Sequence, residues 1–167
     1  MSKELFMRAV CVSALLWGCS KSDPWRISSI QTGTTEFSSC KLCYYNPDTV
    51  NGIDIEFLSL EDSSHLYLSV HSHPIRPYEK DPKRACIAFA EDGRIKTFIG
   101  MRHQGGQRVL LSEEAKDYLI RALLDNKTII VSTSGYSTTV TPISFQKKYP
   151  LLQQPGRFNF KIKNPLQ

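Results

Sequence analysis

Apolar and polar residues alternate with a period of two through much of the chain, which is the pattern of half-buried β-strands. The alternation is clearest at residues 53–57, 66–70 and 85–89. Turn-forming residues separate these stretches, and Asp92-Gly93 is a strong signal for a two-residue hairpin. The chain is therefore expected to form many short strands joined by tight turns.

One segment has helical rather than strand spacing. Ser112 is a good N-cap, and Glu113 and Glu114 suit the positive end of a helix. The apolar residues that follow share one helical face: Ala115, Tyr118, Leu119, Ala122 and Leu123. The pattern predicts a single amphipathic helix over about residues 112–125.

Many strands with one helix indicate a mainly β, largely antiparallel fold, either a β-sandwich or a small barrel. We expect one β-rich domain over residues 25–149, with Trp25 as a core residue at its start. Residues 143–145 are expected to be extended, and residues 150–167 to form a basic C-terminal tail. Residues 1–18 and 19–24 differ in character from the domain.

Residues 1–18 have the order of a secretory signal: two basic residues, an apolar run over residues 9–17, and a small residue. The run is about half of the ~20 residues that span a bilayer. Leu16-Trp17-Gly18-Cys19 resembles the lipobox of bacterial lipoproteins. That resemblance implies a lipid on Cys19, removal of residues 1–18 and a short tether over residues 19–24. An ordinary cleaved signal peptide, with an incidental thiol at Cys19, is the alternative.

The lipobox resemblance also implies a location in the cell envelope. Ser20, at the second position after processing, is what the family associates with the outer membrane. A second resemblance concerns fold: the order of elements over residues 94–149 is similar to the invasion-associated locus B family of periplasmic β-sandwich proteins. It implies an envelope-facing, non-catalytic role and assigns no residue, because the cysteine pair of that family is missing here.

Charge adds a possible contact surface. The net charge of +5 falls to +4 once Lys3, Arg8 and Glu4 leave with the signal. So small an excess does not predict nucleic-acid binding. The C-terminal region, however, has no acidic residue, and its bases are candidates for contact with an anionic surface: Lys147, Lys148, Arg157, Lys161 and Lys163.

Three cysteines remain in the exported domain: Cys40, Cys43 and Cys86. In an oxidising compartment we expect one intramolecular disulfide, between Cys86 and either Cys40 or Cys43. The thiol left over would be buried or would cross-link another envelope protein. Cys40-Lys41-Leu42-Cys43 also has the spacing of a redox motif, but it lies in strand-like sequence without the helix start that such a motif needs.

His71 and His73 are the candidate ligands if the protein binds zinc, since their spacing places them on one side of a strand. A polar strand face is the alternative, and no motif predicts a cofactor. The favoured hypothesis is a lipid-anchored envelope protein that binds or scaffolds other envelope proteins or polymers. The alternatives are an envelope enzyme using His71 and His73 or Cys40 and Cys43, and a disulfide-cross-linked structural protein.

Overall fold

The computed structural model describes residues 23–30, 39–60, 62–79 and 81–152, and for Ile30 the backbone alone. Within these ranges alternating sequence forms strands as expected. The first four are β1 (Trp25–Ile30), β2 (Ser39–Tyr44), β3 (Asp54–Ser59) and β4 (Ser64–Ser69). They are followed by β5 (Arg84–Glu91), β6 (Arg94–Arg102), β7 (Arg108–Leu110), β8 (Ile129–Thr133) and β9 (Tyr136–Val140).

The nine strands form one antiparallel sheet with the order β1-β2-β3-β4-β7-β6-β5-β8-β9. Most neighbours are joined by hairpins, as between β5 and β6, where Glu91 pairs with Arg94 across Asp92-Gly93. The prediction of a mainly β, largely antiparallel fold is confirmed. The sheet is not closed into a barrel, because β1 and β9 stand at its two ends instead of pairing with each other.

The two ends of the sheet come together because β9 crosses the ends of β2 and β3. Two successive residues of β9 contact the connection that leads into β3. The backbone N of Ser137 donates to the Asn51 carbonyl, and the Thr138 hydroxyl bonds both backbone groups of Ile53. Farther along, the Thr139 carbonyl accepts from the Tyr44 hydroxyl. β9 therefore lies across the ends of β2 and β3, which closes the core without a β1–β9 ladder.

The predicted helix is α1 (Glu113–Leu124). It begins where the sequence indicated, because the Ser112 hydroxyl accepts from the backbone N of Ala115 at 3.3 Å. Five of its residues are buried, with Lys116 among them. The Lys116 ammonium is satisfied by Ser64 and Glu113, so its charge is paired at the edge of the core.

A second helix, α2 (Phe145–Leu152), was not predicted. The sequence indicated an extended piece at residues 143–145 and a tail from residue 150. Instead Phe145 and Leu152 are buried, and the helix continues through Pro150. Its stability comes from packing, since Phe145 contacts Trp25 and Phe57 at ring distances of 4.8 and 5.6 Å. The folded part of the described chain thus extends three residues beyond the predicted boundary, to Leu152.

Candidate functional site

The side chain of Trp25, at the start of β1, is fixed in the core. This indole is fully buried and packs against Tyr44 and Phe145 at ring distances of 5.0 and 4.8 Å. Its Nε1 donates to the carbonyl of Thr141 at 2.9 Å. The chain is therefore held in the core only six positions after Cys19.

Asp23, in the predicted tether, is bound to α2. Its carboxylate accepts from the backbone N of Trp25 at 3.0 Å and from Lys148 Nζ at 2.6 Å. Burial alone would raise the pKa of this carboxyl. The hydrogen bonds from Lys148, Ser144 and the Trp25 backbone outweigh burial, so the pKa is lowered from its ordinary value. The contact joins the entry of the chain to the last helix of the described fold.

The same contact changes the role of one predicted surface residue. Lys148 also donates to the Trp25 carbonyl, and its side chain is only 24% exposed. It is therefore used within the fold instead of being free for an external anionic surface. Lys147 is exposed, as that prediction requires. Arg157, Lys161 and Lys163 lie outside the described residues.

An exposed surface surrounds this point of entry, and we call it the tether-end patch: Arg26, Tyr45, Ile143 and Lys147. The backbone N of Tyr45 donates to the Pro24 carbonyl at 3.4 Å. The Arg26 guanidinium lies 5.5 Å from the centre of the Tyr45 ring. Tyr45 is 47% exposed and Ile143 is 62% exposed. The patch combines apolar side chains with two bases.

The cysteines are placed differently from the prediction. All three are free thiols, and no disulfide joins them. The order of the sheet gives the reason: β2, which carries Cys40 and Cys43, is separated from the Cys86 strand by β3, β4, β7 and β6. A disulfide requires Cα atoms within about 7 Å. Cys86 also faces the outer side of its strand, since it alternates with the buried Ala85 and Ile87.

Cys40 and Cys43 also point away from each other. Residues three apart on a strand face opposite sides of the sheet. Cys40 pairs with Ser59 on the core face, and Cys43 pairs with Glu56 on the outer face. Both are buried, and burial raises the pKa of each thiol. This arrangement does not provide the shared, activated pair that a redox motif uses.

Cys86 is the most accessible of the three thiols. It is half-buried on the outer face and lines a pocket of about 530 Å³ beside Arg76, Tyr78 and Ser132. We predict that Cys86 reacts with a thiol reagent in the folded protein, while Cys40 and Cys43 react only in denaturant. Timed labelling followed by peptide mass spectrometry checks this order. Cys86→Ser should remove only the early label; early labelling at Cys40 or Cys43 would contradict the assignment.

The two candidate zinc ligands lie beyond the end of β4 instead of on it. His71 Nε2 is 2.8 Å from Asp54 Oδ2, so that nitrogen already has a partner. The Tyr136 hydroxyl accepts from the backbone N of His73 and donates to the His73 carbonyl. Among the described residues, no group of three or more His, Cys, Asp or Glu side chains is placed to hold a metal.

A charged and aromatic cluster on the outer face was missed at the sequence level. Glu56 accepts from Lys41 at 3.3 Å and from Arg108 at 2.5 Å. The Arg108 guanidinium stands 4.0 Å from the centre of the Tyr67 ring. These residues come from four strands. Each alternates with core residues along its strand, so the alternation in the sequence was the signal that could have placed them on the outer face. The cluster, which we call the outer-face cluster, offers hydrogen-bonding groups and an aromatic ring to a partner.

No protein-family profile matches this chain, and comparisons with curated proteins and with solved structures gave no significant match. Within the part of the chain that the structure describes, neither helix has the length and hydrophobicity needed to cross a bilayer.

Proposed function

We propose that this protein is a lipid-anchored component of a bacterial envelope, assigned to the outer membrane by the lipobox resemblance, that binds or scaffolds other envelope components. One observation carries the proposal: Trp25 is held in the core only six positions after the lipobox cysteine. Extended chain spans about 3.3–3.6 Å per residue, so a lipid on Cys19 would hold the domain within about 20 Å of the bilayer.

The outer-face cluster supports binding as the role of the anchored domain. Both helices belong to the core side: Phe145 of α2 packs on Trp25 and Phe57, and Leu119 of α1 is fully buried. The outer surface of β3, β4 and β7 therefore carries Glu56, Tyr67 and Arg108, and neither of the two described helices lies above them. Aromatic and arginine side chains are the types that most often anchor partners at interfaces.

Catalysis is not included in the proposal. The two thiols that a redox enzyme would use face opposite sides of β2, and His71 Nε2 is engaged by Asp54. Neither arrangement supports the roles that the enzyme hypothesis assigns to these residues.

The anchor predicts a specific cysteine dependence. Cells fed labelled palmitate should label the wild-type protein and a Cys11→Ala variant equally, because Cys11 lies in the segment that processing removes. Cys19→Ala should lose the label. In a detergent-partitioning experiment it should leave the detergent-rich phase, because the acyl chains that attach the protein to a membrane are carried by that cysteine. Equal labelling of Cys19→Ala and wild type would overturn the proposal.

The position of Cys86 favours a second candidate function, covalent cross-linking to another envelope protein. Its thiol opens into a pocket on the outer face, whereas the other two are buried. Native envelope run on non-reducing gels should then show a higher-mass species in wild type that Cys86→Ser removes. A ladder that is unchanged in Cys86→Ser would exclude this route.

A further inference from the structure

We infer that the tether-end patch rests on the anionic phospholipid headgroups of the bilayer that holds the anchor. The inference depends on the proposed lipid at Cys19 and adds the orientation of the domain to it. The patch consists of Arg26, Tyr45, Ile143 and Lys147, around the point where the tether meets the fold.

The first argument is reach. Residues 20–24 lie between Cys19 and Trp25, and Asp23 is already tied to Lys148 and to the Trp25 backbone. The segment that is left to act as a linker is therefore shorter than the sequence indicates. The four residue steps from Cys19 to Asp23 extend to at most about 14 Å. The surface around Pro24 and Trp25 must stay near the membrane, whichever way the remainder of the domain turns.

The second argument is chemistry. Tyr45 and Ile143 are among the large apolar residues that remain exposed. Tyrosine is enriched at the level of the headgroups. The Tyr45 hydroxyl is hydrogen-bonded to Cys43, and the ring is the part that stays exposed for such contact. Arg26 and Lys147 supply positive charge, and each base near an anionic leaflet strengthens contact.

Of the two acidic residues next to the patch, Asp23 is neutralised by a cation and Asp48 is not. Asp23 is paired with Lys148. Asp48 lies in the turn after Tyr45, and it accepts from the backbone N–H groups of Val50 and Asn51. The bases of the patch, Arg26 and Lys147, form no ion pair among the described residues, so their positive charge remains available.

Quenching by brominated lipids tests the orientation with the mature, acylated protein. Tyr45→Trp and Met101→Trp each add one exposed indole to the constant background of buried Trp25. Met101 is a matched control because it is 56% exposed and lies on β6, which four strands separate from β1. In vesicles that contain brominated phosphatidylglycerol, the indole at position 45 should be quenched and the indole at position 101 should not.

A charge variant tests the headgroup preference. In the Tyr45→Trp background, the pair Arg26→Gln and Lys147→Gln should weaken contact about five-fold for each base removed. The pair Lys83→Gln and Arg94→Gln removes the same charge from exposed residues outside the patch, and it should leave the quenching unchanged.

The outcomes separate the two proposals. The intact mass of the mature chain is read first, and a chain without acyl groups would overturn the anchor itself. With the acyl groups present, equal quenching at positions 45 and 101, or none at position 45, would overturn the orientation. Equal quenching at position 45 in neutral and anionic vesicles would also overturn it, because the proposal commits to anionic headgroups.

Discussion

Replacing Trp25 with alanine is expected to lower the free energy of unfolding by about 3–5 kcal/mol, the range for deleting a fully buried aromatic side chain. The change removes ring contacts with Tyr44, Phe57 and Phe145, together with the hydrogen bond to Thr141. Urea unfolding followed by far-ultraviolet circular dichroism measures the loss, since the variant has no indole left in the described domain.

Trp25→Phe is the matched variant for this position. It keeps most of the ring packing and loses the Nε1 donor, so the Thr141 carbonyl loses its partner. We expect a smaller loss of about 1–3 kcal/mol. A loss below 1 kcal/mol in Trp25→Ala would mean that the indole is not a core residue. The inference that only a short connection separates Cys19 from the core would then be wrong as well, and the proposed orientation depends on it.

Thr138→Val is expected to cost about 2–4 kcal/mol, although the two side chains have nearly the same shape. The Thr138 hydroxyl is 2% exposed and is fully used. It accepts from the backbone N of Ile53 and from the Asn46 amide, both at 2.6 Å, and donates to the Ile53 carbonyl at 3.0 Å. Valine would leave those buried groups unpaired, each at a cost of about 1–3 kcal/mol. Urea unfolding again gives the difference.

Thr139→Val is the control for this substitution, because Thr139 is the next residue of β9 and its side chain is exposed. A surface change of this kind should stay within about 0.5 kcal/mol. Equal losses in the two variants would show that the effect belongs to the strand in general. The difference between them measures the bond that holds β9 across the ends of the first strands.

The strands and the first helix were predictable because their causes are local. Alternation of apolar and polar residues determines which side chains of a strand face the core, and Ser112 with two acids determines where α1 begins. Helix α2 was not predictable on those grounds. It has no acidic residue in its first turn and it contains Pro150, which is unfavourable inside a helix. Contacts of Phe145 with Trp25 and Phe57 stabilise it, and these are distant in sequence.

The cysteines show the same division. That Cys40 and Cys43 face opposite sides could have been read from their spacing on a predicted strand. Their distance from Cys86 could not, because it depends on β6 and β7, which lie between β2 and β5 in the sheet although they follow β5 in the chain. The sequence therefore predicted a disulfide between Cys86 and one of the other two cysteines, whereas all three are free thiols in the structure.

By itself, the sequence determined a mainly antiparallel β domain and one capped helix, since the signals for both lie in neighbouring residues. The tertiary structure decided which cations are available: Lys148 is used by Asp23, and Lys147 stays exposed. It also decided that β9 crosses the first strands and brings Thr141 to Trp25. These are contacts between residues more than 80 positions apart, and only the folded sheet brings such residues together.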